Sequence, residues 1–233
     1  MFIAVEGLDG SGKSTQINLL IEKFQNDGRE TRFVHFPRLN KGLFGDMIAK
    51  FLRGEFGAVS DVHPQLVALL FAEDRKQFAA IIQEWLDEDC VVLVDRYVLS
   101  NIAFQCAKTK DVKEKELLRE WINHFEYDFQ PIPRPDLSFY LEVPFEFTNK
   151  SLNAARLGEH REYLNGKDDI HEKDIDLQLA VKKEYEQLLE TDPSIVKIVC
   201  SDEKHQMWSI ERIHLMIMEQ LELRLNQKVD GIF

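Results

Sequence analysis

Cysteine is scarce in this sequence: Cys90, Cys106 and Cys200 are the three among 233 residues, far apart and without a C-x-x-C pair. That spacing offers neither a disulfide framework nor a zinc site, and points to a reducing, cytoplasmic setting. No apolar run approaches the roughly 20 residues of a membrane span. Met1 to Val5 passes directly into a Gly-rich turn rather than a signal-peptide stretch, so no membrane partner is expected. Basic residues are outnumbered, 29 Lys and Arg against 41 Asp and Glu, for a net charge of −12. Most of the exterior therefore repels nucleic acid and anionic membranes, and a polyanionic ligand has to enter a local basic pocket. Proline clusters only at Pro131, Pro133 and Pro135, a rigid lead into a strand rather than an interdomain linker. Repeats and low-complexity segments are absent.

Two motif-level absences narrow the chemistry. His171-Glu172 begins like the zinc motif H-E-x-x-H, but the second histidine position is Ile175. The Asn-Lys pairs at Asn40-Lys41 and Asn149-Lys150 are followed two positions later by Leu43 and Leu152 rather than aspartate. That argues against the guanine-reading N-K-x-D of a GTPase.

What is present is alternation. Short apolar runs at Phe2 to Val5, Thr31 to His35, Val91 to Val94, Leu137 to Leu141 and Ile195 to Val199 predict strands. Helical spacing of apolar residues covers Lys13 to Asn26, Pro64 to Trp85, Val112 to Phe125, Asp174 to Leu189 and Trp208 to Leu225. Right-handed crossovers between such elements build a doubly wound α/β fold, a five-stranded parallel sheet with helices on both faces. We expect one domain over 1–226, a frayed tail over 227–233, and a mobile flap over 154–173, which is polar and carries Gly158 and Gly166.

Between the first strand and the first helix lies Gly7-Leu8-Asp9-Gly10-Ser11-Gly12-Lys13-Ser14, a match to G-x-x-x-x-G-K-[ST] in the strand-loop-helix context that the motif requires. Its glycines let the backbone wrap so that N–H groups from Gly7 through Ser14 and Thr15 face phosphate oxygens, and the helix that follows adds the positive end of its dipole. Lys13 is expected on the β- and γ-phosphates of ATP, and the Ser14 hydroxyl on Mg²⁺. A phosphate loop alone leaves GTPases, ATPases and small-molecule kinases open.

The third strand ends in Asp95-Arg96 and the second runs into Phe36-Pro37-Arg38, so both deliver groups to the carboxyl edge of the sheet, where doubly wound folds bind ligands. Asp95 is either a carboxylate for a magnesium-bound water or half of a buried ion pair. Arg96 has the planar fork to bridge two phosphates. Phe71, Asp74 and Arg75 share a helical turn, where an aromatic ring and an arginine can stack on and bond a base, although Phe71 by itself equally suits the core.

Taken in order, IAVEGLDGSGKST, FPR, LFAEDR, VDRYVLSNIAFQ, PRPD and DIHE resemble the motifs of the thymidylate kinases, from Met1 to about Glu219. The resemblance implies a homodimer that phosphorylates dTMP with ATP and Mg²⁺. It puts Arg38 and Arg96 on the dTMP phosphate, Phe71 on the thymine ring, Arg75 at O4, and Ser100 with Asn101 in the base pocket, Asn101 near N3. Phe104 stands where the family often has a tyrosine or glutamine packing against the deoxyribose. Asp9 is implied at the 3′-hydroxyl or in the magnesium shell, and Asp169 and Glu172 in the acidic motif that closes over the nucleotide. Members of the eukaryotic type carry an arginine directly after the loop acid; here that position is Gly10. The transition-state cation is then expected from the flap, as Arg156 or Arg161. A kinase for dUMP or a modified deoxynucleotide, and a non-catalytic ATP-binding switch, are the rival readings.

Overall fold

In the computed structural model, residues 1–148, 163–164 and 166–229 are described. Five strands form one sheet: β1 Phe2–Glu6, β2 Thr31–His35, β3 Val91–Asp95, β4 Leu137–Glu142 and β5 Ile195–Val199. All neighbours pair in parallel, in the order β2-β3-β1-β4-β5, as the alternation predicts. Each of β1, β3 and β4 runs one residue past its apolar run, to Glu6, Asp95 and Glu142, so the carboxyl edge of the sheet ends in carboxylates.

The helices are α1 Lys13–Asn26, α2 Gly42–Leu52, α3 Pro64–Asp87, α4 Val98–Cys106, α5 Val112–Asn123, α6 Ile170–Lys173, α7 Ile175–Thr191 and α8 Ile210–Val229. A π-helical turn over His124–Phe129 continues α5. Of these, α2, α4 and α6 are not legible as helical periodicity, and α8 continues three residues past the expected boundary at 226.

Strand alternation divides the core in two. Phe2, Ala4, Val92 and Val94 face α3, α4 and α7, meeting Ala68, Ile82, Ile102, Val181 and Tyr185. Ile3, Val5, Val91 and Leu93 face α1 and α8, meeting Ile17, Leu20, Ile213 and Ile217. A satellite cluster of Ile48, Phe51 and Leu52 with Val67 joins α2 to α3 and takes in Tyr163 and Leu164 from the flap side. The proline-rich approach to β4 ends at Asp136, whose carboxylate accepts the Phe2 N–H at 2.7 Å and ties β4 beside β1.

Candidate active site

The phosphate loop turns out of β1 with Gly7 at φ 148. A Cβ there would lie 2.8 Å from Ser11 Oγ and 3.2 Å from the Leu141 carbonyl, so only glycine fits. Gly12 caps α1 at φ 87, without a side-chain cap, which leaves the first amides of α1 for a ligand. Ser14 and Thr15 are exposed at that helix start, while Ser11 and Lys13 are buried. The Lys13 ammonium donates to the carbonyls of Leu8, 2.9 Å, and Gly7, 3.3 Å. Burial and then Arg96 draw its pKa down, against the pull of Asp95, Asp9 and Glu6.

A charged network links the loop to the end of β3. Arg96, at the left-handed φ of 66, donates from Nη2 to Asp9 Oδ1 at 2.6 Å and from Nη1 to Ser100 Oγ at 3.1 Å. Ser100 Oγ in turn donates to Glu6 at 2.5 Å, and Glu6 also accepts the Tyr97 N–H and the Tyr185 hydroxyl, both at 2.8 Å. Burial would raise the Asp9 carboxyl, but Arg96, Lys13 and a 3.2 Å hydrogen bond from Gln178 hold it at about 2. The Arg96 guanidinium also covers the Phe104 ring at 5.1 Å. Ser100 lines the cavity, with its hydroxyl committed to the support of Arg96. Glu6, Tyr185 and Gln178 were not singled out in the sequence. Glu6 had a signal there, a carboxylate ending a fully buried strand, because buried charges are nearly always paired.

Beside the loop, at the carboxyl ends of β1, β2 and β3, opens a cavity of about 1100 Å³. Asp9, Gly10, Ser14, Phe36, Pro37, Arg38, Phe71, Arg75, Asp95, Arg96, Ser100, Asn101, Phe104, Asp169 and Glu172 line it, together with His35, Gln105, Tyr163 and His171. The structure thus brings the expected acceptor residues to one wall system. Arg38 is oriented by fully buried Asp74, which accepts its backbone N–H at 2.8 Å and its Nε at 3.0 Å. Phe71 is half-buried, packs on the α2 cluster and also lines the cavity. Arg75 is buried and gripped by Glu126, and Asn101 donates to that same carboxylate.

On the flap side, Asp169 caps α6 by accepting the N–H groups of His171 and Glu172 and receives the Tyr163 hydroxyl at 2.8 Å. Burial, and then the charge of Asp9, push its carboxyl up to about 6. His171 stacks on Phe104 with centroids 5.4 Å apart. Burial and then Lys108 lower its pKa well below the ordinary histidine value, so it is neutral near pH 7. Arg156 and Arg161 lie outside the described residues.

The polar groups beside the loop suit magnesium. Among the described residues no group of three or more His, Cys, Asp or Glu is placed to cage a metal ion. Asp95 Oδ1, however, is buried without a protein partner, with Oδ2 3.3 Å from His35 Nδ1. Burial would raise that carboxyl, but Lys13 and His35 keep it below its ordinary value, so it is charged. One carboxylate, one exposed hydroxyl at Ser14 and phosphate oxygens from a substrate fit an ion that retains water and binds through few protein ligands.

A family model described as thymidylate kinase matches residues 5–209. The chain is 32% identical over 236 residues to a probable thymidylate kinase of Thermococcus kodakarensis, covering 98% of this chain and all of that one. It is 32% identical over 189 residues to the thymidylate kinase of Mycobacterium tuberculosis, covering 81% and 85% of the two chains. Among solved structures, the thymidylate kinase of Candida albicans superposes with a TM-score of 0.69 at 24% identity, over 96% of this chain and 92% of that one, a likeness of fold.

Proposed function

The chain belongs to the thymidylate kinase family, and from that premise we propose how its own residues carry out the phosphorylation of dTMP by ATP. It is a phosphotransferase of nucleotide biosynthesis that yields dTDP and ADP. The observation that carries the assignment of roles is Arg96, which joins the phosphate-loop acid at 2.6 Å while it lines the cavity that contains Arg38, Phe71, Arg75 and Asn101. One cation then faces both the donor and the acceptor.

The loop amides and Lys13 hold the β- and γ-phosphates of ATP, for which Lys13 exchanges its contacts with the Leu8 and Gly7 carbonyls for phosphate oxygens. Arg38 and Arg96 hold the dTMP phosphate, and Phe71 stacks on the base. Arg75 presents a donor to O4 and Asn101 Oδ1 an acceptor to the N3 hydrogen. The acceptor phosphate is already anionic near neutral pH and requires no general base, so catalysis is positioning and charge neutralisation. Ser14, Asp95 and Asp9 would hold Mg²⁺, which when bound would supply charge neutralisation on the transferring phosphate. Asp169 and Glu172 close the cavity on the flap side, and Arg156 or Arg161 contributes the further cation.

We further propose a homodimer, supported by family membership, and a cytoplasmic location, supported by Cys90, Cys106 and Cys200 being free and buried. No helix among the described residues is long and apolar enough to cross a membrane. A coupled assay of ADP release across dTMP, dUMP and other monophosphates tests the function. Release that depends on dTMP is expected; ATP binding without it would leave only a nucleotide switch. Substituting Arg156 and Arg161 separately should give one large and one modest loss, and no loss in either removes the flap cation from the mechanism.

A further inference from the structure

Glu126 is 1% exposed, and its two carboxylate oxygens take one edge of the Arg75 guanidinium, Nε at 2.5 Å and Nη2 at 2.6 Å. The oxygen that meets Nη2 also accepts from Asn101 Nδ2 at 2.9 Å. The Ala68 carbonyl accepts from the same Nδ2 at 3.0 Å. An amide nitrogen has two hydrogens, so both are committed. Two acceptors, one of them a carboxylate that cannot donate, therefore dictate which way the Asn101 amide stands. Its Oδ1 is left buried and without a protein partner, in a residue of the cavity wall.

A buried ion pair of this kind is a poor source of stability, because desolvating both charges cancels much of their attraction. Its geometry suits orientation better. The carboxylate arrives from the π-helical turn at His124–Phe129, a departure from regular helix that is concentrated at functional sites. Within that turn His124 and Asp128 are exposed and Glu126 alone is fully buried.

We propose that Glu126 is a positioning residue that sets acceptor-base specificity: it fixes Asn101 as a hydrogen-bond acceptor beside Arg75 as a donor. That pattern takes a pyrimidine with an N3 hydrogen and a carbonyl at position 4, and rejects one with a bare N3 and an amino group, as in cytosine. Thymine and uracil present the same edge, so this device separates keto from amino pyrimidines and is blind to the 5-methyl group. The inference rests on the acceptor-site reading given above.

The test measures kcat and KM for dTMP, dUMP and dCMP in the unmutated chain, Glu126→Gln and Glu126→Asp, with thermal unfolding as the check of folding. In Glu126→Gln the new amide hydrogens must oppose a donor on Arg75 or Asn101. KM for dTMP should rise about tenfold with kcat less affected and KM for ATP unchanged, and preference for dTMP over dCMP should fall by about tenfold or more. Glu126→Asp stays acceptor-only; it should lose efficiency yet keep that preference to within about threefold. A preference unmoved in Glu126→Gln, or lost equally in both variants, overturns the proposal. Should Glu126→Gln fail to fold, nitrogen-edited NMR of the unmutated chain decides: both Asn101 side-chain amide protons are expected to exchange slowly with and without dTMP. Solvent-like exchange of either overturns it. An unmutated chain that releases no ADP in response to dTMP would instead refute the acceptor site itself.

Discussion

Arg96 sits in a backbone conformation that bulky residues rarely adopt, at φ 66, and is held there by ion pairing to Asp9, a hydrogen bond to Ser100 and contact with the Phe104 ring. In the proposed mechanism Arg96 and Lys13 act on the transferring group, so Lys13→Ala or Arg96→Ala should lower turnover by about two orders of magnitude or more. Near-normal turnover of either purified variant contradicts those roles. Two carboxylates of the site are pulled in opposite directions. Asp9, held at about 2, adds stability that is fully present above about 3.8 and is lost as pH falls through 2. Asp169, raised to about 6, does the reverse: the folded chain binds a proton that the unfolded chain has released, so stability falls as pH rises from about 3.8 to 6. Asp169→Asn keeps a good helix cap and removes that penalty. It should be more stable than the unmutated chain at pH 7, by roughly 1–3 kcal/mol, and no more stable at pH 4. Denaturant midpoints at the two pH values check this, and a gain equal at both contradicts it.

At the scale of elements, the strands and the phosphate loop were legible because their signals are local: apolar runs, and glycines where Gly7 and Gly12 need positive φ. What was hidden is α4 and α2. In α4 every residue from Ser100 to Cys106 is buried, so no polar face marks a helical period. In α2 two glycines lower helix propensity, yet Gly45 is there for contact, since a Cβ would lie 2.3 Å from the Arg38 carbonyl. Both atoms are set by backbone, so neither can swing aside. Gly45→Ala should push α2 off the Arg38 loop, raise KM for dTMP about tenfold and cost roughly 1–3 kcal/mol of stability. KM for ATP should hold, and a shift in both KM values would mean a general loosening instead. Arg38 and Arg75 were marked by their places after a strand and on one helical turn, and Asn101 by motif resemblance, whereas the contacts that Asp74, Glu6 and Glu126 make with cavity residues were not legible. Their partners are distant in sequence, 36 positions for Asp74 with Arg38 and 51 for Glu126 with Arg75, and spacing within one helix or strand cannot encode such pairs.

Over the whole molecule, a net charge of −12 surrounds a cavity lined by Arg38, Arg75 and Arg96, with Lys13 buried beneath the adjoining loop. The two act at different ranges. The exterior field is screened over about 8–10 Å at physiological ionic strength, while buried contacts to a phosphate are screened much less. A mononucleotide is small enough to leave the repulsive field behind once inside, but a duplex would keep most of its phosphates against the acidic exterior. Raising NaCl from about 50 to 200 mM should therefore change KM for dTMP by no more than about threefold, in contrast to the 10³–10⁵-fold loss typical of proteins that bind through many phosphate contacts. Fluorescence anisotropy with a labelled 20-base-pair duplex at the lower salt should detect no binding at micromolar protein. Duplex binding that weakens steeply with salt would mean that a basic surface outside the cavity offsets the acidic exterior, and would overturn the expectation that this chain acts on nucleotides alone.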